Sequence, residues 1–167
     1  MMTERLDRAL QDLAELLIMH AATVCTVESC TGGWVSAAMT ALPGSSHWFE
    51  RGWVVYSNLA KQELLGVDAH LIDQVGAVSQ PVVAALLQGA LQRSRVDYAL
   101  AVSGIAGPSG GSAEKPVGTV WMGVQRRNQP ANILLGQFTG NRQDIRLQAV
   151  ETVVELLLQS LRMELSV

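Results

Sequence analysis

The chain has 167 residues, 49% of them hydrophobic and 16% charged, with a formal net charge of -3. That length suits one domain, expected over residues 1–167, which would bury about 70% of the surface its unfolded chain exposes. The acidic balance, with no basic run, excludes the clustered phosphate contacts of a nucleic-acid binder, and no uncharged apolar stretch is long enough to span a membrane.

In chain order, Leu6, Leu10, Leu13, Leu16 and Leu17 recur at helical spacing, so residues 4–18 predict an amphipathic helix. Acids run throughout Met1 to His20, unlike the basic head and apolar block of a signal peptide. Ala21–Glu28 is rich in β-branched residues and predicts a strand; it enters the turn Ser29-Cys30-Thr31-Gly32-Gly33. Trp34 to Leu42 reads as a helix that Pro43-Gly44 stops. After a short polar turn, Gly52–Ser57 predicts a second strand and Asn58 the cap of a helix through Leu65. A short helix is expected from about Asp68, then one capped by Ser79 with Pro81 in its first turn, running to about Arg93. Asp97–Ser103 is a near-continuous apolar run suited to a buried strand. Gly104–Gly118 is a long Gly/Pro/Ser loop, Thr119–Arg126 and Asn132–Thr139 read as a hairpin, and a last helix begins near Asn141. Strands alternating with helices predict a three-layer α/β/α fold, and the late hairpin makes its β-sheet mixed.

Cysteine and lysine usage narrows the chemistry. Cys25 and Cys30 form neither a C-x-x-C pair nor a disulfide framework, which suits a reducing cytoplasm, and the scattered His20, His47 and His70 make no metal site with them. Of the twelve basic residues only Lys61 and Lys115 are lysines. Arginine stays protonated at working pH, so a lysine base has two candidates.

Three polar segments interrupt the apolar elements. In the first, Thr31, Gly32 and Gly33 expose amides at a helix start, where a phosphate or an oxyanion would bind. Ser29 in the same turn either displays a nucleophile, as sharp strand–turn–helix elbows do, or caps the helix. The second joins Gly44-Ser45-Ser46 to Tyr56-Ser57-Asn58 and Lys61. A lysine in the first turn of a helix feels the positive end of the dipole and, if half-buried, loses its proton easily; it could then deprotonate a serine. Tyr56 could relay a proton; the plainer alternative is a surface lysine and a capping turn. The third, from Ser103, Gly104 and Gly107 to Thr119, follows a buried strand at the edge where open α/β sheets bind ligands. It has neither a Walker ending nor dinucleotide spacing. Lys115 beside Pro116 orders this loop or meets ligand charge. Arg142, near the start of the last helix, would clamp a phosphate or else be solvated. Cys30 reads as a packing residue and His47 as an improbable base.

These segments resemble the C-terminal domain of the competence/damage-inducible CinA family. The runs that carry the likeness are Ala22–Gly33, Pro43–Ser46, Gly52–Asn58 with Lys61, Gly76–Ser79, Ser103–Pro108 and Glu114–Thr119, in the family's order over nearly the whole chain. The resemblance implies a single-domain member that hydrolyses the carboxamide of nicotinamide mononucleotide to nicotinate mononucleotide and ammonia in pyridine-nucleotide recycling. It implies functional positions at Ser29, Ser46, Tyr56, Lys61 and Ser103, where the family often has Thr at the last, and a homodimer. The pyridinium charge activates the carboxamide, so no metal or other cofactor is expected.

The expected mechanism has neutral Lys61 taking the proton of Ser46 as its oxygen attacks, with Ser29 as the alternative nucleophile. Gly32-Gly33 or the 104–111 loop holds the phosphate. Three rivals stand beside it: a non-catalytic nucleotide- or partner-binding domain, an amidase for another small amide, and a DNA-repair accessory. Lys61 and Tyr56 speak against the first and the acidic charge against the last.

Overall fold

Leucines spaced three and four apart make the first helix one-sided. α1 (Glu4–Met19) buries Leu6, Leu10, Leu13 and Leu17, and the Thr3 hydroxyl caps it by accepting from the Leu6 amide. That stripe packs on α6 (Arg142–Leu165), whose Val150, Val153, Val154, Leu157 and Leu161 are buried. Fully burying each such leucine is worth about 1.5–3 kcal/mol. A computed structural model of the protein describes residues 3–165. The outermost residues of the expected 1–167 domain, including Met1, lie outside those described.

Between the two helical layers runs a five-stranded sheet ordered β2-β1-β3-β4-β5. Its strands are β1 (Val24–Glu28), β2 (Phe49–Val54), β3 (Tyr98–Gly104), β4 (Thr119–Arg126) and β5 (Asn132–Gln137). β2, β1 and β3 are parallel, while β3, β4 and β5 are antiparallel, so the sheet is mixed as expected. Alternation sorts the side chains of β3: Tyr98, Leu100 and Val102 enter the core under α1 and α6, and Ala99 and Ala101 enter the core on the opposite face. α2 (Trp34–Thr40) lies on the first face. α3 (Asn58–Leu65), α4 (Ala69–Val75) and α5 (Gln80–Gln92) cover the second.

Two boundaries differ from expectation for a physical reason. β2 begins at Phe49 rather than Gly52, because pairing with β1 starts at Phe49 opposite Val24. As an edge strand it carries exposed Glu50 and Arg51, which hide it from an apolar reading. Its earlier end frees Ser57 to cap α3, the Ser57 hydroxyl accepting from the Ala60 amide, and Asn58 becomes the first helical residue.

The helix after β1 and the helices after β2 lie on opposite faces, so the sheet splits above the carboxyl ends of these neighbours. Open α/β sheets place ligands in such a crevice. No helix among the described residues is long and apolar enough to cross a membrane.

Candidate active site

Ser29 leaves the end of β1 on one lip of the crevice, and Lys61 reaches it from α3 on the other. Ser29 is 8% exposed and Lys61 only 1%. Lys61 Nζ lies 3.2 Å from Ser29 Oγ and donates to the carbonyls of Val55 at 2.9 Å and Tyr56 at 3.3 Å. Among the described residues it has no carboxylate partner, and burial lowers its pKa from the ordinary lysine value. Both carbonyls can only accept, so they take the two N–H bonds of a neutral amine. An amine that spends its two N–H bonds in this way keeps its lone pair for the serine hydroxyl 3.2 Å away. The geometry thus suits an amine that receives a proton from Ser29.

These two residues line a cleft of about 280 Å3, together with Tyr56, Asn58, Ser103, Gly104, Gly107 and Arg142. Ser103 is buried at its floor and donates to the Ala77 carbonyl at 2.8 Å, joining the end of β3 to the turn before α5. Arg142 spans the mouth, donating to the Gly107 carbonyl at 2.7 Å and to the Tyr56 hydroxyl at 3.1 Å. Tyr56 is 61% exposed; its backbone serves the lysine and its phenol meets the arginine. Lys115 donates to the Val75 carbonyl at 2.7 Å, so it ties the long loop to the end of α4.

Ser46 is not brought to this cleft. It is exposed in the 3-10 turn Ser45–His47, just before Trp48, whose carbonyl accepts from the Val24 amide at the entry of β1. Parallel strands put entries and exits at opposite ends. At about 3.3 Å per residue, the length of β1 separates this turn from Ser29. The expected pairing of Lys61 with Ser46 therefore gives way to Lys61 with Ser29. His47 turns its ring to the Gly44 carbonyl in the same remote turn.

Thr31, Gly32 and Gly33 also do not line the cleft. The helix start that was expected to hold a substrate anion is occupied by the chain's own: the fully buried Glu28 carboxylate accepts from the amides of Gly33, Val35 and Ser36 and from the Ser36 hydroxyl. Gly33 sits at φ +95°, a left-handed conformation that bends the turn back onto Glu28. Gly52 leaves room above it, since a Cβ there would come within 2.5 Å of Ser36 Oγ and 2.6 Å of Thr26 Oγ1. Thr31 is fully buried, and its hydroxyl finds no partner among the described residues.

Burial pushes the Cys30 thiol up to about 11 and the Cys25 thiol to about 12, so both are protonated packing groups at neutral pH. Among the described residues no cluster of His, Cys, Asp or Glu could hold a metal ion. The residues that sequence reasoning passed over are Glu28, read only as a strand end, Asn58, read as a cap, and Arg146. The available signals were a carboxylate just ahead of a glycine turn, and a second arginine one helical turn after Arg142.

A family model for the CinA C-terminal domain matches residues 6–161. The Nicotinamide-nucleotide amidohydrolase PncC of Escherichia coli is 47% identical over 149 residues, covering 89% of this chain and 90% of its own. Its namesake in Pseudomonas putida is 49% identical over 147 residues, covering 88% and 91%. Among solved structures, the competence/damage inducible protein CihA from Agrobacterium tumefaciens superposes with a TM-score of 0.93 at 38% identity, over 97% of this chain and 98% of that one. The chain belongs to the CinA C-terminal domain family.

Proposed function

We propose that this protein hydrolyses the carboxamide of nicotinamide mononucleotide to nicotinate mononucleotide and ammonia, with Ser29 as nucleophile and Lys61 as general base. The observation that carries this reading is the buried amine of Lys61, held by two carbonyls and 3.2 Å from Ser29 Oγ. Relatives similar over nearly their whole length bear the name nicotinamide-nucleotide amidohydrolase, which supplies the substrate.

In this mechanism Lys61 takes the Ser29 proton as Oγ attacks the carboxamide carbon. The oxyanion that forms is held by backbone amides of the serine turn, each worth about 3–4 kcal/mol. Lys61 then gives its proton to the departing nitrogen, which leaves as ammonia. Water enters and attacks as Lys61 takes one of its protons, and the second tetrahedral adduct collapses to the carboxylic acid while Lys61 returns that proton to the departing Ser29 Oγ. The phosphate lies in the 104–111 loop: among the described residues the amides of Ala106, Gly107, Ser109, Gly110 and Gly111 donate to no backbone carbonyl, and Arg142 stands over them. Ser103, Gly104 and Gly107 shape the floor. Tyr56 steadies Arg142 and packs against the substrate at the mouth.

The same reading places the protein in the cytoplasm, where buried unpaired Cys25 and Cys30 persist as thiols. It also makes the protein a homodimer, for which exposed Val54, Tyr56 and Leu59 beside the edge strand offer apolar surface. Ammonia release from nicotinamide mononucleotide, nicotinamide and NAD tests the function. Release from the mononucleotide alone, lost in Lys61→Ala, is expected; release from another amide but not from the mononucleotide overturns the substrate, and an active Lys61→Ala overturns the base.

A further inference from the structure

The serine turn is bracketed by a second charged group. Arg146, one turn along α6 from Arg142, donates from Nε to the Cys30 carbonyl at 3.0 Å and from Nη2 to the Thr31 carbonyl at 2.8 Å. Its guanidinium carbon lies 5.2 Å from the centre of the Trp34 ring, on the first residue of α2. Among the described residues it makes no ion pair with a carboxylate. A forked cation stacked on an aromatic ring is thus spent on two consecutive carbonyls just after Ser29.

In a trans peptide the C=O and the following N–H point in opposite directions. Holding the Cys30 carbonyl therefore turns the Thr31 amide away from Arg146. Holding the Thr31 carbonyl turns the Gly32 amide the same way, and that amide donates to the Ser29 carbonyl at 3.1 Å. The Ser29 carbonyl so fixed orients the Cys30 amide in its own peptide. In this turn the Ser29 amide donates to the Val102 carbonyl, Gly32 to the Ser29 carbonyl and Gly33 to the Glu28 carboxylate, which leaves the Cys30 and Thr31 amides without an acceptor among the described residues, and of these two only Cys30 lines the cleft beside Ser29.

We propose that Arg146 is a positioning residue for hydrolysis: by gripping the Cys30 and Thr31 carbonyls it fixes the serine turn so that the Cys30 amide is aimed at the oxyanion. This rests on the reading of Ser29 as nucleophile. Lysine cannot take over the role, because a single ammonium does not present two parallel donors at the spacing of consecutive carbonyls.

The test is steady-state ammonia release from nicotinamide mononucleotide by the wild type, Arg146→Ala, Arg146→Lys and Ser29→Ala, with thermal unfolding of each. Arg146→Ala is expected to lose about 100-fold in kcat, the scale of one mis-set oxyanion donor, with KM within about threefold. Added methylguanidine is expected to restore part of that rate, which it would not do for a general loss of stability. Arg146→Lys is expected to fold and to lose at least about tenfold in kcat. If both Arg146 variants keep wild-type kcat, lose only KM, or if Arg146→Lys fails to fold, the residue is not aiming that amide and the proposal falls. An active Ser29→Ala overturns the nucleophile reading itself, and this inference with it. An inactive Ser29→Ala beside unimpaired Arg146 variants overturns this inference alone.

Discussion

Two glycine-rich segments leave the carboxyl edge of the sheet side by side, and their backbones serve opposite ends. In the turn at 29–33 the chain fixes its own shape: Glu28 fills the start of α2 with a carboxylate, Gly32 donates to Ser29, and Arg146 takes the Cys30 and Thr31 carbonyls. In the loop at 104–111 the amides of Ala106, Gly107, Ser109, Gly110 and Gly111 are left without backbone acceptors among the described residues, under an arginine. The first is a frame for a reactive hydroxyl; the second is a receptacle for an anion. A glycine turn at a helix start is therefore not an anion site when a carboxylate from the same turn already sits on its amides.

The contrast breaks most sharply at the nucleophile. Ser29→Ala is expected to lower kcat by about 10,000-fold, while Ser46→Ala, at the far end of the strands, stays within about twofold; ammonia release measures both. Next is the frame. Glu28→Gln keeps the shape but presents an amide N–H to backbone donors, and it is expected to lose about 3 kcal/mol of stability in urea unfolding. The receptacle yields a smaller and different change. Arg142→Ala is expected to raise KM for the mononucleotide about tenfold with kcat nearly kept, and to leave turnover of the phosphate-free riboside unchanged.

The lysine sets a pH signature that belongs to the frame alone. Its pKa is lowered by burial, so kcat/KM falls as pH drops through that value, below the ordinary lysine range. The sign for stability follows from proton uptake. Between the depressed folded pKa and the ordinary unfolded one the unfolded chain binds more protons, so stability rises with pH across that window and is flat below it. Lys61→Met removes both dependences. It is expected to unfold at or above the wild-type temperature at neutral pH while being inactive, which thermal unfolding across pH checks.

Much of this frame is legible in the amino-acid sequence. The strand–turn–helix around Ser29, the helix carrying Lys61, the apolar run of β3 and the late hairpin follow from periodicity and turn residues, and so did the mixed sheet. The serine was harder, because Ser46 and Ser29 both lie in polar glycine turns and nothing local tells which end of a strand each occupies. That is decided by the parallel pairing of β1 and β2, a long-range fact. Glu28 went unread because a carboxylate at a strand end looks the same whether it faces water or a helix start. Arg146 was invisible for a similar reason: its partners lie 116 and 115 residues away.

The most direct test of the account is to trap the covalent intermediate. Acid-quenched enzyme from the first turnover of nicotinamide mononucleotide, digested and read by tandem mass spectrometry, is expected to carry the nicotinoyl nucleotide as an ester on Ser29, and to carry none in Lys61→Ala. An ester on Ser46, or full turnover with no serine ester formed, would contradict it.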